Sequence, residues 1–225
     1  ADSALIAHGR GEAFDYLLGE QTMPGATMAI DEVAARLLVA KQPVISVNGN
    51  TVALACDELL QIADTLGCPL EVNIYYRTPE RMEALLSALH EKRQQAAELF
   101  PELSNQISNV DILGGEPDGR IPNLEGPRAN CHSNGILSAD TILVPLEDGD
   151  RCEALIAMGK TVCVIDLNPL SRTARTATVT IVDELTRCVQ ILLEYLRQEP
   201  APENTDWDNE ANLQDAIEVI LRRFE

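Results

Sequence analysis

Val162-Cys163-Val164-Ile165-Asp166-Leu167-Asn168-Pro169-Leu170-Ser171-Arg172-Thr173 is the stretch on which the fold turns. Its opening apolar run, rich in β-branched side chains, reads as a strand buried on both faces, as strands of a parallel sheet are. Asp166 ends the run, and Pro169 forbids its continuation inside a sheet. In open α/β sheets ligands sit beyond the carboxyl ends of the strands. An acid and an amide at that place suit a ribose or a base edge, and Arg172 suits a phosphate, to which a guanidinium offers a planar fork of donors. The segment is therefore either a nucleotide site or a strand followed by an ordinary polar turn.

Further strands of the same kind lie outward from it. Pro43-Val44-Ile45-Ser46-Val47 ends in Asn48-Gly49-Asn50, after which an apolar helix begins at once. That arrangement aims backbone amides along a helix N-terminus, where an anion can sit. It is no Walker A loop, because the Gly spacing and the Lys-Ser/Thr pair are missing. Leu70 to Tyr76 reads as a strand with Arg77 just past its end, then Thr78 as cap and Pro79 in the first turn of a charged helix running to about Phe100. Thr141 to Leu146 is another buried strand, followed by Glu147, Asp148 and Asp150 and a helix from about Cys152 to Met158. Carboxylates so close together repel unless a cation, an amine or arginines share the site; Mg²⁺ held by Asp148 and Asp150 is the natural candidate, and helix capping is a role that can coexist with it. Thr178 to Val182 is the last strand, and Ile107 to Val110 a short one.

Thr27 is placed to cap a helix that buries Ile30, Val33, Ala34, Leu37 and Leu38, and Phe14, Leu17 and Leu18 face inward on a shorter one before it. His8-Gly9-Arg10-Gly11 offers an arginine between two glycines, suited to phosphate contact or to a surface turn. Pro122 to Asn134 is irregular and long enough to be a substrate-binding segment. Residues 1–197 form the α/β domain, 198–208 an acidic linker, and 209–225 an amphipathic helix. Its apolar stripe (Leu213, Ile217, Ile220, Leu221, Phe224) must dock on the domain or on a second subunit.

Composition narrows the function. A formal charge of −19 argues against nucleic acid and against an anionic membrane surface as partner. No run approaches the ~20 apolar residues of a membrane span. The six cysteines form no Cys-x-x-Cys and follow no secretory signal, which fits buried thiols of a cytoplasmic protein. His8, His90 and His132 have no metal-ligand spacing. Alternating strands and helices imply a three-layer α/β fold, a Rossmann-like, mostly parallel sheet with helices on both faces. Its rim collects Asn48, Asn50, Arg77, Glu147, Asp148, Asp150, Asp166, Asn168 and Arg172. It has no nucleophilic triad, and the missing Gly-x-Gly-x-x-Gly speaks against an oxidoreductase using a nicotinamide cofactor.

Taken together, His8 to Glu20, Pro43 to Asn50, Tyr76-Arg77-Thr78, Leu143 to Arg151 and Ile165 to Ala174 resemble the archaeal phosphopantothenate synthetases, the 4-phosphopantoate–β-alanine ligase family of coenzyme A biosynthesis. The resemblance implies ATP-dependent condensation of 4-phosphopantoate with β-alanine through an acyl-adenylate, releasing AMP and diphosphate, by a homodimer. It implies ATP contacts at Arg10, Asp166, Leu167, Asn168, Arg172, Thr173, Glu184 and Leu185, although family members usually carry Asn at the position of Glu184. They also carry a basic His-Pro-Arg segment ahead of the matched portion, so one ATP-contacting arginine is expected that these residues do not include. On this reading Asn48, Gly49, Asn50 and Arg77 take the phosphopantoate phosphate. Arg77, Asp148 and Asp150 serve the chemistry, and Mg²⁺ sits on the two aspartates. A nucleotide-binding regulatory module without turnover, built on the same rim, is the alternative.

Overall fold

The computed structural model describes residues 13–146, 149–198 and 202–222. Helix α1 is described over 13–18. After it come α2 (Pro24–Val39), β1 (Pro43–Val47), α3 (Gly49–Leu66), β2 (Leu70–Val72), α4 (Pro79–Leu99), α5 (Ser104–Ser108) and β3 (Ile112–Leu113). A crossover with the short strands β4 (Gly119–Arg120) and β5 (Asn130–Cys131) leads to β6 (Thr141–Pro145), α6 (Gly149–Ala157), β7 (Thr161–Ile165), α7 (Arg172–Thr176), β8 (Val179–Ile181), α8 (Leu185–Arg197) and α9 (Asn209–Leu221). Six strands form one sheet in the order β3-β2-β1-β6-β7-β8, and every pairing in it is parallel. Strand order reverses between β1 and β6, which makes that junction the switch point where a ligand crevice opens.

Burial follows the two-residue period of the strands. Ile45, Val47, Leu70, Val72, Leu143, Cys163 and Ile165 face a core closed by α2, α3, α4 and α8. Val44, Ile142, Val144, Val162 and Val164 face the other way. That second face is covered only partly by helix: Cys152 and Leu155 of α6 share it with Ile121, Leu124, Ala129, Cys131 and Ile136 of the crossover. The expected three layers are present, but one of them is half irregular chain.

The crossover is fastened by Glu71, a charged residue at the centre of β2 with 0% exposure. Its Oε1 accepts the His132 amide at 2.8 Å and its Oε2 the Ile136 amide at 2.7 Å. Gly135 lies between them in a non-helical conformation (φ −124°, ψ −123°), and a Cβ there would stand 2.1 Å from Glu71 Oε2.

Helix α9 docks on its own sheet. Leu213 and Ala216 pack with Leu18, Leu167, Ala174 and Val182. Asn209 Oδ1 accepts the Thr180 amide at 2.8 Å, and Asn212 Nδ2 donates to the Thr180 carbonyl at 2.9 Å. Two side chains thus take up both backbone groups of the edge residue, where an open edge would invite another strand. The segment before α9 is tied down as well: the Asn204 amide donates to Glu32 Oε2 at 2.8 Å, and its carbonyl accepts from Arg36 at 3.0 Å. Among the described residues no helix is long and apolar enough to cross a membrane.

Several expected boundaries move. Helix α2 begins at Pro24, and Thr27 lies inside it, its hydroxyl returned to the Met23 carbonyl at 3.3 Å. Leu17 and Leu38 are exposed. The expected strand at Ile107–Val110 is not one, since Ser104–Ser108 is helical and β3 begins at Ile112. Strand β2 stops at Val72, which leaves Tyr75 and Tyr76 exposed. On α9 Leu213 and Ile220 lie on the docked face as expected, joined by Ala216 and Val219, whereas Leu221 is exposed and Phe224 lies outside the described residues. All six cysteines are buried thiols, as expected.

Replacing Gly135 by Ala should cost about 2–4 kcal/mol, because the new methyl group displaces either a buried carboxylate or the loop it holds. Gly49→Ala, whose Cβ meets nothing within 4 Å, should stay within about 0.5 kcal/mol, as urea unfolding would measure. Burial pushes the Glu71 carboxyl above the usual range, against the opposing pull of the Ile136 and His132 amides and the Arg151 charge. The folded chain therefore keeps this proton at pH values where the unfolded chain, with a carboxyl near 4.3, has released it. Through this group stability falls as pH rises from about 4.3 to the folded pKa. Glu71→Gln should flatten that part of a stability–pH curve while lowering stability throughout, and an unchanged slope would contradict the raised carboxyl.

Candidate functional site

The rim is built from the residues that follow each strand. After β1, Asn48 caps α3: its Oδ1 accepts the amides of Asn50 and Thr51 at 2.9 and 3.2 Å, and Thr51 Oγ1 accepts the Asn48 amide at 2.8 Å. Asn48 Nδ2 donates to the Leu146 carbonyl at 3.0 Å, which joins the first residue past β1 to the first past β6. Leu146 has φ +59°, a left-handed conformation that L side chains rarely adopt. The Asn48 side chain is thus spent on structure, and Gly49 is the exposed residue of the trio with room above it.

After β2, Asn73 continues the ladder by one rung, its amide donating to the Val47 carbonyl at 2.9 Å. The Asn73 side chain holds the crossover, with Nδ2 donating to the carbonyls of Arg128 at 3.0 Å and Asn130 at 3.2 Å. Arg77 is half-buried and donates to the Gly114 carbonyl past β3. Burial lowers its pKa, and the Glu71 charge raises it. Thr78 caps α4 and Pro79 opens it, as the sequence predicts.

Across the switch point, Glu147 and Asp148 lie outside the described residues, as does Arg10. Asp150 sits in the first turn of α6 and takes both oxygens to Arg128 Nη2, at 2.9 and 3.1 Å. The Arg128 guanidinium also lies 5.1 Å from the Tyr75 ring centroid. No group of three metal-ligating side chains converges among the described residues. With Asp150 given to an arginine, those residues do not make up a protein-built Mg²⁺ site. Arg151, buried on the same helix, donates to Ser46 Oγ at 2.8 Å.

After β7 the chain forms a rigid turn. Asp166 accepts the Asn168 amide at 2.9 Å and the Ser171 hydroxyl, Asn168 Oδ1 accepts the Leu170 amide at 3.0 Å, and Ser171 Oγ caps α7 through the Ala174 amide at 2.9 Å. Burial raises the Asp166 carboxyl, and its hydrogen bonds pull it back. Leu167 and Thr173 are buried. Arg172 is exposed, its stem running over Gly149, where a Cβ would meet it at 2.6 Å. Its fork grips Glu153, with Nε to Oε1 at 2.6 Å and Nη2 to Oε2. Two cavities flank this pair: one of about 440 Å³ toward Leu170, Arg175 and Leu213, the other of about 550 Å³ toward Pro122, Leu124, Asp150 and Met158. After β8, Glu184 caps α8 through the Arg187 amide at 3.0 Å, and Leu185 is in the core. Any ligand contact of Leu185 has to be through its backbone.

The rim therefore has two halves. Asn48, Gly49, Asn50 and Arg77 lie beyond β1 and β2, and Asp166 to Thr173 with Glu184 lie beyond β7 and β8. The Asn48–Leu146 bond and the Arg128–Asp150 pair link them. Sequence reading missed Glu71, Asn73, Tyr75 and Glu153, and found Arg128 only as an available side chain of the irregular segment from Pro122 to Asn134. A charge inside the apolar run Leu70 to Ile74, and an asparagine following β2 as Asn48 follows β1, were the available signals.

Residues 25–223 match the family model described as phosphopantothenate/pantothenate synthetase. The chain is 44% identical to the 4-phosphopantoate--beta-alanine ligase of Thermococcus kodakarensis over 231 residues, covering 100% of this chain and 83% of that protein. It is 46% identical to the ligase of the same name from Thermococcus onnurineus, over 88% of this chain and 70% of the relative, and 44% identical to that of Methanosarcina mazei, over 96% and 82%. With that likeness spanning the sheet, its switch point and α9, the chain belongs to the phosphopantothenate/pantothenate synthetase family.

Proposed function

We propose that this chain condenses 4-phosphopantoate with β-alanine in the route to coenzyme A, consuming ATP and releasing AMP and diphosphate. The division of the rim into two halves joined across the switch point carries the reading, together with the names of relatives that share nearly half of its residues. ATP takes the β7–β8 half, with its ribose and base against the Asp166-Leu167-Asn168 turn and the backbone at Glu184-Leu185. Its phosphates go to Arg172, to the Thr173 segment and to Arg10. The phosphopantoate phosphate takes Arg77 and the exposed backbone at Gly49, beside Asn48 and Asn50. The substrate carboxylate then faces the α-phosphorus. A carboxylate oxygen bonds to phosphorus as diphosphate leaves; the β-alanine nitrogen bonds to the acyl carbon as AMP leaves.

Both reactants are anions, so guanidinium groups have to offset their repulsion, and each charge-assisted hydrogen bond contributes about 1.5–3 kcal/mol net. Asp150 serves by fixing Arg128 across the crevice. Mg²⁺ would offset the charge of the triphosphate, and Asp148 is the carboxylate that would help to hold it. The enzyme works as a cytoplasmic homodimer, for which exposed Tyr16, Leu17, Met28, Leu38 and Val39 on α1 and α2 offer apolar area to cover.

AMP should form only when ATP, 4-phosphopantoate and β-alanine are all present. ATP bound and recovered unchanged from the full mixture would mark a nucleotide-binding module instead. Arg77→Ala should raise the KM for 4-phosphopantoate about 10- to 100-fold, the loss of one charged hydrogen bond, and leave the KM for ATP within about 3-fold. Equal effects on both would remove Arg77 from the phosphate site. Glu153→Gln frees Arg172 from its carboxylate and should lower the KM for ATP about 2- to 5-fold, as the release of an exposed ion pair allows. A higher KM for ATP would show that Glu153 assists the nucleotide.

A further inference from the structure

Asn73 is the residue of the crevice whose hydrogen bonding is incomplete. It is 4% exposed, and its Oδ1 is buried without a partner. Its amide orientation is settled by its neighbours: two backbone carbonyls, of Arg128 and Asn130, lie 3.0 and 3.2 Å from Nδ2, and only an NH₂ group satisfies both. The oxygen is therefore the spare atom, and it can only accept. A buried acceptor left alone in a native fold calls for an explanation. This one stands at the carboxyl edge of the sheet, one rung past β2, on an amide bonded to the last residue of β1 at 2.9 Å. That is the place where a parallel sheet meets its ligand.

We propose that Asn73 Oδ1 accepts the hydroxyl of a 2-hydroxy acid bound in the β1–β2 half of the crevice, and so makes this enzyme a reader of that hydroxyl. The inference rests on the ligase reading above, whose acid substrate carries a hydroxyl on the carbon next to its carboxylate. The remaining polar groups of that substrate at neutral pH, a phosphate and a carboxylate, accept rather than donate. The amine of the second substrate is a poorer match. It has to reach the acyl carbon with its lone pair free, and the ammonium form, the stronger donor, has none. A hydroxyl held at Asn73 also restricts rotation about the bond to the carboxylate, which helps to aim the reacting oxygen. Because the oxygen is shielded from solvent in the ligand-free chain, pairing comes with a local opening of the crevice, and the acceptor gained offsets part of its cost.

The test compares kcat/KM for 4-phosphopantoate and for its 2-deoxy analogue, read by AMP release, in the wild type, Asn73→Ala and Asn73→Asp. A site that leaves a buried acceptor unpaired when the hydroxyl is absent should favour the natural acid by about 100-fold in the wild type. Asn73→Ala should bring that ratio below about 5, with the KM for ATP little changed. Asn73→Asp keeps an acceptor there and should keep most of the preference, even as both rates drop with the two lost carbonyl bonds. If the residue only holds the crossover, Asn73→Ala lowers both substrates by one factor and leaves the ratio at its wild-type value, which overturns the proposal. A wild-type ratio near 1 overturns it without any variant, and would assign the oxygen to an internal water. A wild type that forms no AMP from the three natural substrates removes the ligase reading itself, whereas a failed ratio leaves that reading standing.

Discussion

A carboxyl group placed at the centre of a parallel sheet is costly unless its oxygens find hydrogen-bond partners. Glu71 has one backbone amide on each oxygen, from His132 and Ile136, with the Arg151 charge nearby. The consequence is geometric. A loop whose amides are claimed by a fixed strand cannot slide, and residues 128 to 136 are held in register against the second face of the sheet. Asn73, two residues further on and just past the end of the strand, repeats the device with the opposite polarity by donating to two carbonyls of that loop. Between them the two side chains turn an irregular crossover into a wall. Arg128 projects from that wall to Asp150 on α6, so the two halves of the rim are spaced by a chain of hydrogen bonds that starts inside the core.

This explains which parts of the molecule sequence reading reached. Strands β1, β6 and β7 are runs of apolar residues with both faces covered, and such runs report their own burial. Thr78-Pro79 states a helix start in two letters, because cap and fixed φ are local properties. The Asp166-Leu167-Asn168 turn was legible for the same reason, since its partners lie within five residues. The polar groups that build the crevice act at long range. Glu71 meets amides 61 and 65 positions away, and Asn73 meets carbonyls 55 and 57 away. Nothing in a local window announces such a pairing, and an acid in a strand reads as a solvated side chain. Asp150, with acids for neighbours, was read as needing a cation, an amine or an arginine, and which of these it meets is decided by a residue 22 positions earlier, Arg128. Asn48-Gly49-Asn50 was read as a backbone anion site or a tight β-to-α turn, and the Asn48 side chain completes a capping box there.

The acidity of the chain bears on how its arginines can serve. With a formal charge of −19, a cation near the rim meets a carboxylate of the protein before it meets a ligand. Arg172 is held by Glu153, Arg128 by Asp150, and Arg187 by Asp15 and Asp183 together. For a guanidinium already paired, binding a phosphate is an exchange, and the gain is the difference between two similar forks of hydrogen bonds. The three pairs differ in how readily they exchange. Burial works against the Arg187 charge, but Asp15 and Asp183 outweigh it and push its pKa up. Since Asp183 is buried, removing Arg187 would strand a carboxylate, which makes that cluster structural. Arg172 and Glu153 are both well exposed, where an ion pair is worth little and water can replace either partner, so theirs is the pair that opens most readily.

Arg77 stands apart from these, and the difference is electrostatic rather than positional. Its hydrogen bond runs to the Gly114 carbonyl, a neutral group, while burial works against its charge. The nearest acid acting on it is Glu71, whose oxygens already serve two amides and which burial itself drives toward the neutral form. A half-buried guanidinium bonded to a neutral carbonyl has no carboxylate to release first, so an incoming dianion gains more from it than from an arginine already held in an ion pair. The asymmetry gives the two halves of the rim different characters. On the β7–β8 side internal competition moderates the arginine, which agrees with the nucleotide proposed there. On the β1–β2 side the half-buried Arg77 is bonded to a carbonyl and not to a carboxylate, which agrees with the phosphate proposed there.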